Sequence, residues 1–217
     1  MSELYGQQHR ALQAEFETTT LADAVHDFIV VQEIPPEHQG FIESRDMFFL
    51  TTVDHRGFPT CSYKGGNTGL VKVVDSKTLA FPSYDGNGMF LSMGNIAQNN
   101  KVGMLFIDFE TPHRVRVHGT ASVSKTDPLL AEYHEAELIV RITLEEMFIN
   151  CPRYIHRYTK LSSSKYVPQA HCETPLASWK RIEPLQAVFD EKTKAQAAEQ
   201  GLISPDEYGE MVMTGQG

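Results

Sequence analysis

The chain has 217 residues and a mass of 24.4 kDa, with 41% hydrophobic and 22% charged residues, which suits one globular domain with extensions. A formal net charge of −9 and a pI near 5.4 exclude a general phosphate-neutralising surface, so nucleic acid is not an expected partner. No run reaches the roughly 18 apolar residues of a membrane span, and the opening MSELYGQQHR lacks the apolar stretch of a signal peptide, so a cytoplasmic protein without a membrane partner is expected.

The first third reads as helical. In TTLADAVHDFIVVQEIPP, Leu21, Ala24, Val25, Phe28 and Ile29 recur at helical spacing, with Thr20 as the expected N-cap and Pro35-Pro36 as the stop. A second short helix is expected over 37–44. From Met47 the period falls to two. MFFLTTV, the turn DHRG and FPTCSY make a hairpin, with Gly57 at the position that tolerates positive φ. The loop KGGNTG leads to LVKVV, the turn DSKT and LAF. Residues 84–100, YDGNGMFLSMGNIAQNN, open with a turn of Gly86, Asn87 and Gly88. They continue into a helix whose core face is expected to carry Met89, Phe90 and Met93. KVGMLFID, the turn FETPH and RVRVHGTASVS follow as strands. Asp127 is the expected N-cap of a helix with Pro128 at its first position. ELIVRITLEEMFI reads as a long strand and LASWKRIEPL as a last one. The tail beyond Pro184 carries another helix pattern and a cap at Ser204-Pro205. About seven antiparallel strands with a few short helices imply a closed barrel rather than alternating α/β units. The expected order is a helical extension over 1–45, the barrel over 46–185 and a helical tail over 186–217, an arm suited to packing on a partner subunit.

A glycine turn that feeds a helix lets backbone N–H groups approach a phosphate, where the helix dipole helps. Yet no Lys or Arg lies between Lys77 and Lys101, so positive charge must come from elsewhere. Alternation along 114–118 puts Val115 and Val117 on one face of a strand and Arg114, Arg116 and His118 on the other. That second face is either an ordinary solvated exterior or an anion cradle, since arginine forks match phosphates and carbonyl edges. SYKGGNTG is another source of charge. Its Lys64 precedes the glycines, so the segment is not a GxxxxGK[ST] phosphate loop, and taken alone it is a wide loop between strands. Lys64 and Lys72 would share an anion only if the barrel brought them near Arg114.

The three cysteines, Cys61, Cys151 and Cys172, are far apart and form no CxxC pair, as expected of free thiols in a reducing cytosol. In NCPRYIHRY, Arg153 and His156 could stabilise a Cys151 thiolate, but a partly buried structural or cofactor-lining cysteine is the expected reading. AHCE puts His171 and Cys172 on opposite faces of an extended segment, and no other His or Cys sits at metal-ligand spacing, so no metal is expected. His171 as an axial haem ligand stays an alternative.

RDMFFLTTVDHRGFPTCSY, LAFPSYDGNGMFLSMGNIAQNNKVGMLFID, HRVRVHGTASV and SWKRIEP together resemble the pyridoxamine 5′-phosphate oxidase-like family, the FMN-binding split barrels, over roughly residues 41–184. The resemblance implies a mainly β, antiparallel split barrel with flanking helices, and a homodimer with FMN in two clefts at the subunit interface. It implies that the phosphate lies between the FPTCSYKGG strand and the turn after LAFPS, which names Ser62, Tyr63, Lys64, Ser83, Gly86, Asn87 and Gly88. It also implies that a residue of the strand holding Arg114, taken here as Arg114 itself, faces the flavin ring, and that Asn150 and Cys151 reach across from the other subunit. The charge for the phosphate would come from Lys64, or from Arg114 or Arg116 across the cleft. Members that oxidise pyridoxamine phosphate carry a basic strand segment, a Ser-x-Lys after the turn and an Arg-His pair near the C-terminus. Here the strand reads TCSYKG, no Lys follows the turn, and no such pair is recognisable. The implied function is an FMN-dependent oxidoreductase acting on a small molecule of open identity. Two alternatives stay open: a flavin- or haem-binding protein that stores or senses its ligand without turnover, and a deazaflavin-dependent reductase.

Overall fold

The computed structural model describes residues 4–217, so the first three positions of the expected extension, and of the opening judged not to be a signal peptide, lie outside the described residues. The chain forms two compact units, one ending at Leu161 and the other running Ser162–Gly217. Among the described residues no helix is long and apolar enough to cross a membrane.

In the first unit, α1 (Gln7–Glu15) and α2 (Thr19–Ile29) are tied by an Arg10–Asp23 ion pair at 2.7 Å and by the Tyr5 hydroxyl donating to the Ala22 carbonyl at 3.2 Å. The N-cap of α2 is Thr18, two residues before the expected Thr20. The helix stops at Ile29 because β-branched Val30 and Val31 turn extended and pair, as β1 (Val30–Val31), with Phe148 and Met147 of β8 (Leu138–Asn150). After α3 (Pro36–Glu43) comes the hairpin of β2 (Met47–Val53) and β3 (Pro59–Gly65). Its turn is held by the Asp54 carboxylate, which accepts the N–H groups of Arg56 and Phe58 at 2.9 Å, and by Gly57 at φ 88°. Then follow β4 (Lys72–Asp75), β5 (Thr78–Ser83), α4 (Leu91–Gln98), β6 (Lys101–Asp108), β7 (His113–Ser124) and β8.

All pairings are antiparallel, in the order β3-β2-β6-β7-β8-β5-β4, with β1 added on β8. The sheet therefore has eight strands, the eighth being the two-residue β1. It is open, with β3 and β4 at its ends, where a closed barrel was expected. Its inner face is apolar. Phe48 and Leu50 of β2 pack with Met104 and Phe106 of β6, Val115 and Val117 of β7, and Ile142 and Met147 of β8, all essentially inaccessible. Each such side chain contributes about 1.5–3 kcal/mol by leaving water.

One register slip matters later. His118 faces Glu146 while Gly119 faces Leu144, so Glu145 is an extra residue on β8. Only glycine fits at 119, because a Cβ there would lie 2.5 Å from the Thr143 carbonyl oxygen and 2.6 Å from Ile142 Cγ2. Asp127 caps as expected, accepting the Leu129 N–H at 3.0 Å, but the segment it caps is a 3-10 turn, Pro128–Glu132, rather than an α-helix. The same carboxylate is gripped by Arg141 at 2.5 and 3.0 Å, which holds its pKa below the usual range.

In the second unit the expected last strand is absent. LASWKRIEPL forms 3-10 turns, Ser178–Arg181 and Glu183–Val188, with Pro184 in the first turn of the second, and its strand-like contact is a parallel bridge from Ile182 to Ile203. Two helices follow: α5 (Glu191–Gln200), capped by Asp190, and α6 (Pro205–Met213), capped by a reciprocal Ser204–Glu207 box at the expected place.

Candidate functional site

A polar ladder seats α4 on the inner face of the β2–β3 hairpin. The Asn95 amide donates to Thr52 Oγ1 at 3.0 Å and to Thr60 Oγ1 at 3.1 Å, and those two hydroxyls lie 2.8 Å apart. One turn nearer the helix start, Ser92 Oγ is 3.1 Å from Ser62 Oγ. The N-terminus of α4 therefore points along β3 towards Lys64, which shares the face of Thr60 and Ser62 and lies opposite Phe48. Lys64 is partly buried and its ammonium makes no hydrogen bond or ion pair among the described residues. Burial pushes its pKa below the usual lysine value. An unpaired cation, two hydroxyls and the free N–H groups of a helix start make an anion cradle.

The glycine turn lies in solvent before this helix. Gly88 has φ 74°, and the Asn87 side chain accepts the Met89 N–H at 3.1 Å. Phe90 is left-handed at φ 49° and forms the N-cap, so the helix begins only at Leu91. Met89 and Phe90 are consequently exposed and do not form the helix's core face. Its buried residues are Ser92, Met93, Asn95 and Ile96. Ser83 ends β5, half-buried, opposite Leu138.

The remaining candidates lie on the other side of the sheet. Arg114, Arg116 and His118 alternate with buried Val115 and Val117, and share the outer face with Phe49 and Tyr63, whose rings meet edge-on at 6.1 Å. The sheet thus separates Ser62 and Lys64 from Tyr63, Arg114 and Arg116, and within one chain the arginines do not supply charge to the cradle. Nor does Lys72, which is ion-paired with Glu132 and lies over the Tyr133 ring at 5.0 Å.

Arg114 and Asn150 oppose each other directly between β7 and β8. Arg114 Nε and Asn150 Oδ1 are both buried without a hydrogen-bond partner. Each such orphan costs about 1–3 kcal/mol, so the pair calls for an explanation. A donor beside an acceptor complements a group that presents a carbonyl and an N–H side by side. His26 Nε2 is orphaned too, and His26 and Asn150 line one cavity of about 260 Å³ walled by Tyr5, Val25, Ile29 and Phe148. Cys151, expected to be partly buried, is exposed, because β8 ends at Asn150 and Pro152 leads the chain away. Cys61 and Cys172 are also free and exposed. Sequence reasoning passed over Ser92, Asn95 and His26. The available signal was the pair of polar residues at i, i+3 on the otherwise apolar face of α4.

Residues 34–151, more than half of the chain, match the family model described as pyridoxamine 5′-phosphate oxidase. The chain belongs to the pyridoxamine 5′-phosphate oxidase family. The matched span contains the cradle and the Arg114–Asn150 pair, and the open antiparallel sheet is this family's split barrel. Among solved structures, the chain is similar to a Lactobacillus delbrueckii protein described as a candidate pyridoxamine 5′-phosphate oxidase, at 25% identity over 54% of this chain and 95% of that one, with a TM-score of 0.45. It is also similar to HupZ of Group A Streptococcus, at 17% identity over 58% and 100%, with a TM-score of 0.45. A third is HutZ, the haem storage protein of Vibrio cholerae, at 18% identity over 54% and 94%, with a TM-score of 0.41. No curated protein matches the chain.

Proposed function

We propose that the protein is a cytoplasmic, homodimeric, FMN-dependent oxidoreductase acting on a small molecule. The observation that carries this reading is the division of two polar sets, each with a group left unpaired, between the two faces of one sheet. Lys64, Ser62, Ser92 and the first N–H groups of α4 suit a phosphate. Arg114 Nε, a donor, and Asn150 Oδ1, an acceptor, suit the carbonyl and N–H edge of a flavin's pyrimidine ring. One FMN cannot reach both sets in the same chain, so two copies are needed, the cradle of one serving a ring held by the other. The uncovered stripe of α2, with Leu21, Val25 and Phe28 at 63%, 41% and 88% exposure, supports a second copy.

FMN, when bound, would supply the redox chemistry, a hydride or electron transfer between the small molecule and an acceptor. The chain's own groups hold and orient it: Lys64 and the hydroxyls fix the phosphate, Arg114 and Asn150 the ring edge. The test is the visible spectrum of the protein as purified. A flavin spectrum is expected. A haem or deazaflavin spectrum, or colourless protein that FMN cannot load, overturns the reading.

A further inference from the structure

A groove of about 1070 Å³ crosses the outer face of the sheet, at the upper end of the size range of small-molecule sites. Strand register sets Cys61, Thr51, Gly103, His118 and Glu146 in one row across it. Gly103 makes the trough: a Cβ there would sit 3.8 Å from both Thr51 Cβ and His118 Cδ2, so any larger side chain would fill the space between them. Phe49, Val53 and Leu105 give the groove an apolar floor.

Its polar groups are unevenly matched. His118 Nδ1 lies 2.9 Å from Glu146 Oε1, and Glu146 is buried. A buried carboxylate on Nδ1 fixes the ring orientation and leaves Nε2 as the ring atom available to the groove. The extra residue on β8 is what turns two consecutive carboxylates, Glu145 and Glu146, towards this row. Glu145 accepts from Lys101 at 3.0 Å, so that cation is already paired. Arg116 is not. Its guanidinium lies 5.4 Å over the Phe148 ring and makes no hydrogen bond or ion pair among the described residues. In a chain of net charge −9, an unpaired guanidinium in an apolar groove is matched to an anion.

We propose that this groove binds a small amphipathic organic anion, a flat apolar body bearing one carboxylate. Arg116 grips the carboxylate, His118 Nε2 takes a polar group beside it, and Phe49 and Leu105 underlie the body. Glu146 is a positioning residue that acts through His118. The proposal does not rest on the flavin reading, whose ring edge is held by Arg114 and Asn150 at the end of this face and whose phosphate cradle lies on the opposite one.

The test is isothermal titration of the full chain with naphthoate, and with naphthamide as the same body without the charge. Naphthoate should bind saturably, one per chain, about tenfold or more tightly than naphthamide. Arg116→Ala should reduce naphthoate to the naphthamide level, and Arg116→Lys should fall between. Gly103→Val should abolish binding of both by filling the trough while raising strand propensity, with thermal melting to confirm that each variant is folded. Equal affinity for the two probes, or an Arg116→Ala variant that binds naphthoate like the parent, overturns the proposal. So does the absence of saturable binding, the result expected if a second copy covers the groove. FMN loading is measured in parallel. It should be indifferent to Gly103→Val, so the two readings fail separately.

Discussion

Ser62 and Ser92, 30 positions apart in the chain, meet hydroxyl to hydroxyl at 3.1 Å and fix the start of α4 against the strand that carries Lys64. If that corner holds a phosphate, Lys64→Ala removes a charge-assisted hydrogen bond worth about 1.5–3 kcal/mol. FMN affinity should then fall roughly ten- to a hundredfold, while riboflavin, which lacks the phosphate, binds nearly as before. Fluorescence titration with both ligands decides the matter, and equal losses would remove the phosphate from this corner.

The ring end should behave in the opposite way. Arg114→Met removes a buried, unpartnered Nε, so the apo-protein should melt no lower than the parent. FMN and riboflavin should weaken by the same factor, because both present the same ring edge. A variant that discriminates between them would show that Arg114 serves the phosphate instead.

The two turn glycines separate strain from ligand contact. At Gly88, φ is 74°, so Gly88→Ala strains the fold by about 1 kcal/mol whether or not ligand is present. At Gly86 no such φ occurs, and an added Cβ meets nothing within 4 Å. Gly86→Ala is therefore the cleaner probe. Unchanged apo melting with weakened FMN binding is the expected result, and unchanged FMN binding would mean that the turn only turns.

His113 stacks on the Phe41 ring at 4.3 Å with its Nε2 buried and unpartnered. Burial chiefly, then nearby His38 and Arg45, push its pKa below the usual 6.5, against the opposing pull of Asp108. Above that value the ring is neutral in both folded and unfolded chains and carries no penalty. As pH falls below it, the unfolded chain takes up the proton first, so stability declines until the folded ring also protonates. Melting temperature should fall between pH 7 and pH 5, and His113→Phe, which keeps the stacking, should flatten part of that decline. Superimposable pH profiles for the two proteins would clear His113 of any part in it.

Light scattering should give about twice 24.4 kDa for the flavin-loaded protein. A monomer that keeps its flavin would sink both the dimer and the two-copy site.

Strands with strict alternation were legible from sequence because period two marks face as well as element. MFFLTTV and KVGMLFID are strands with the expected bounds, and the RVRVH face points where alternation puts it. Where backbone geometry outranks hydrophobic period, the sequence misled. Phe90 in the left-handed region delays α4 and throws Met89 and Phe90 out of the core. LASWKRIEPL is apolar enough for a strand but coils into 3-10 turns around Pro184. The polar contacts of the candidate site were hidden for a different reason. Ser92 finds Ser62, Asn95 finds Thr52 and Thr60, and His118 finds Glu146 across 28 to 43 positions, a distance that no local pattern spans.

Lys64 and Arg114 face away from each other through a single layer of backbone. A cofactor that needs both can be retained only while two copies stay together, so diluting the protein would release flavin even at constant flavin concentration. Loading would then show a threshold in the amount of chain present. In a cell, the rate at which this polypeptide is made, rather than the supply of FMN, would decide when it becomes coloured and competent.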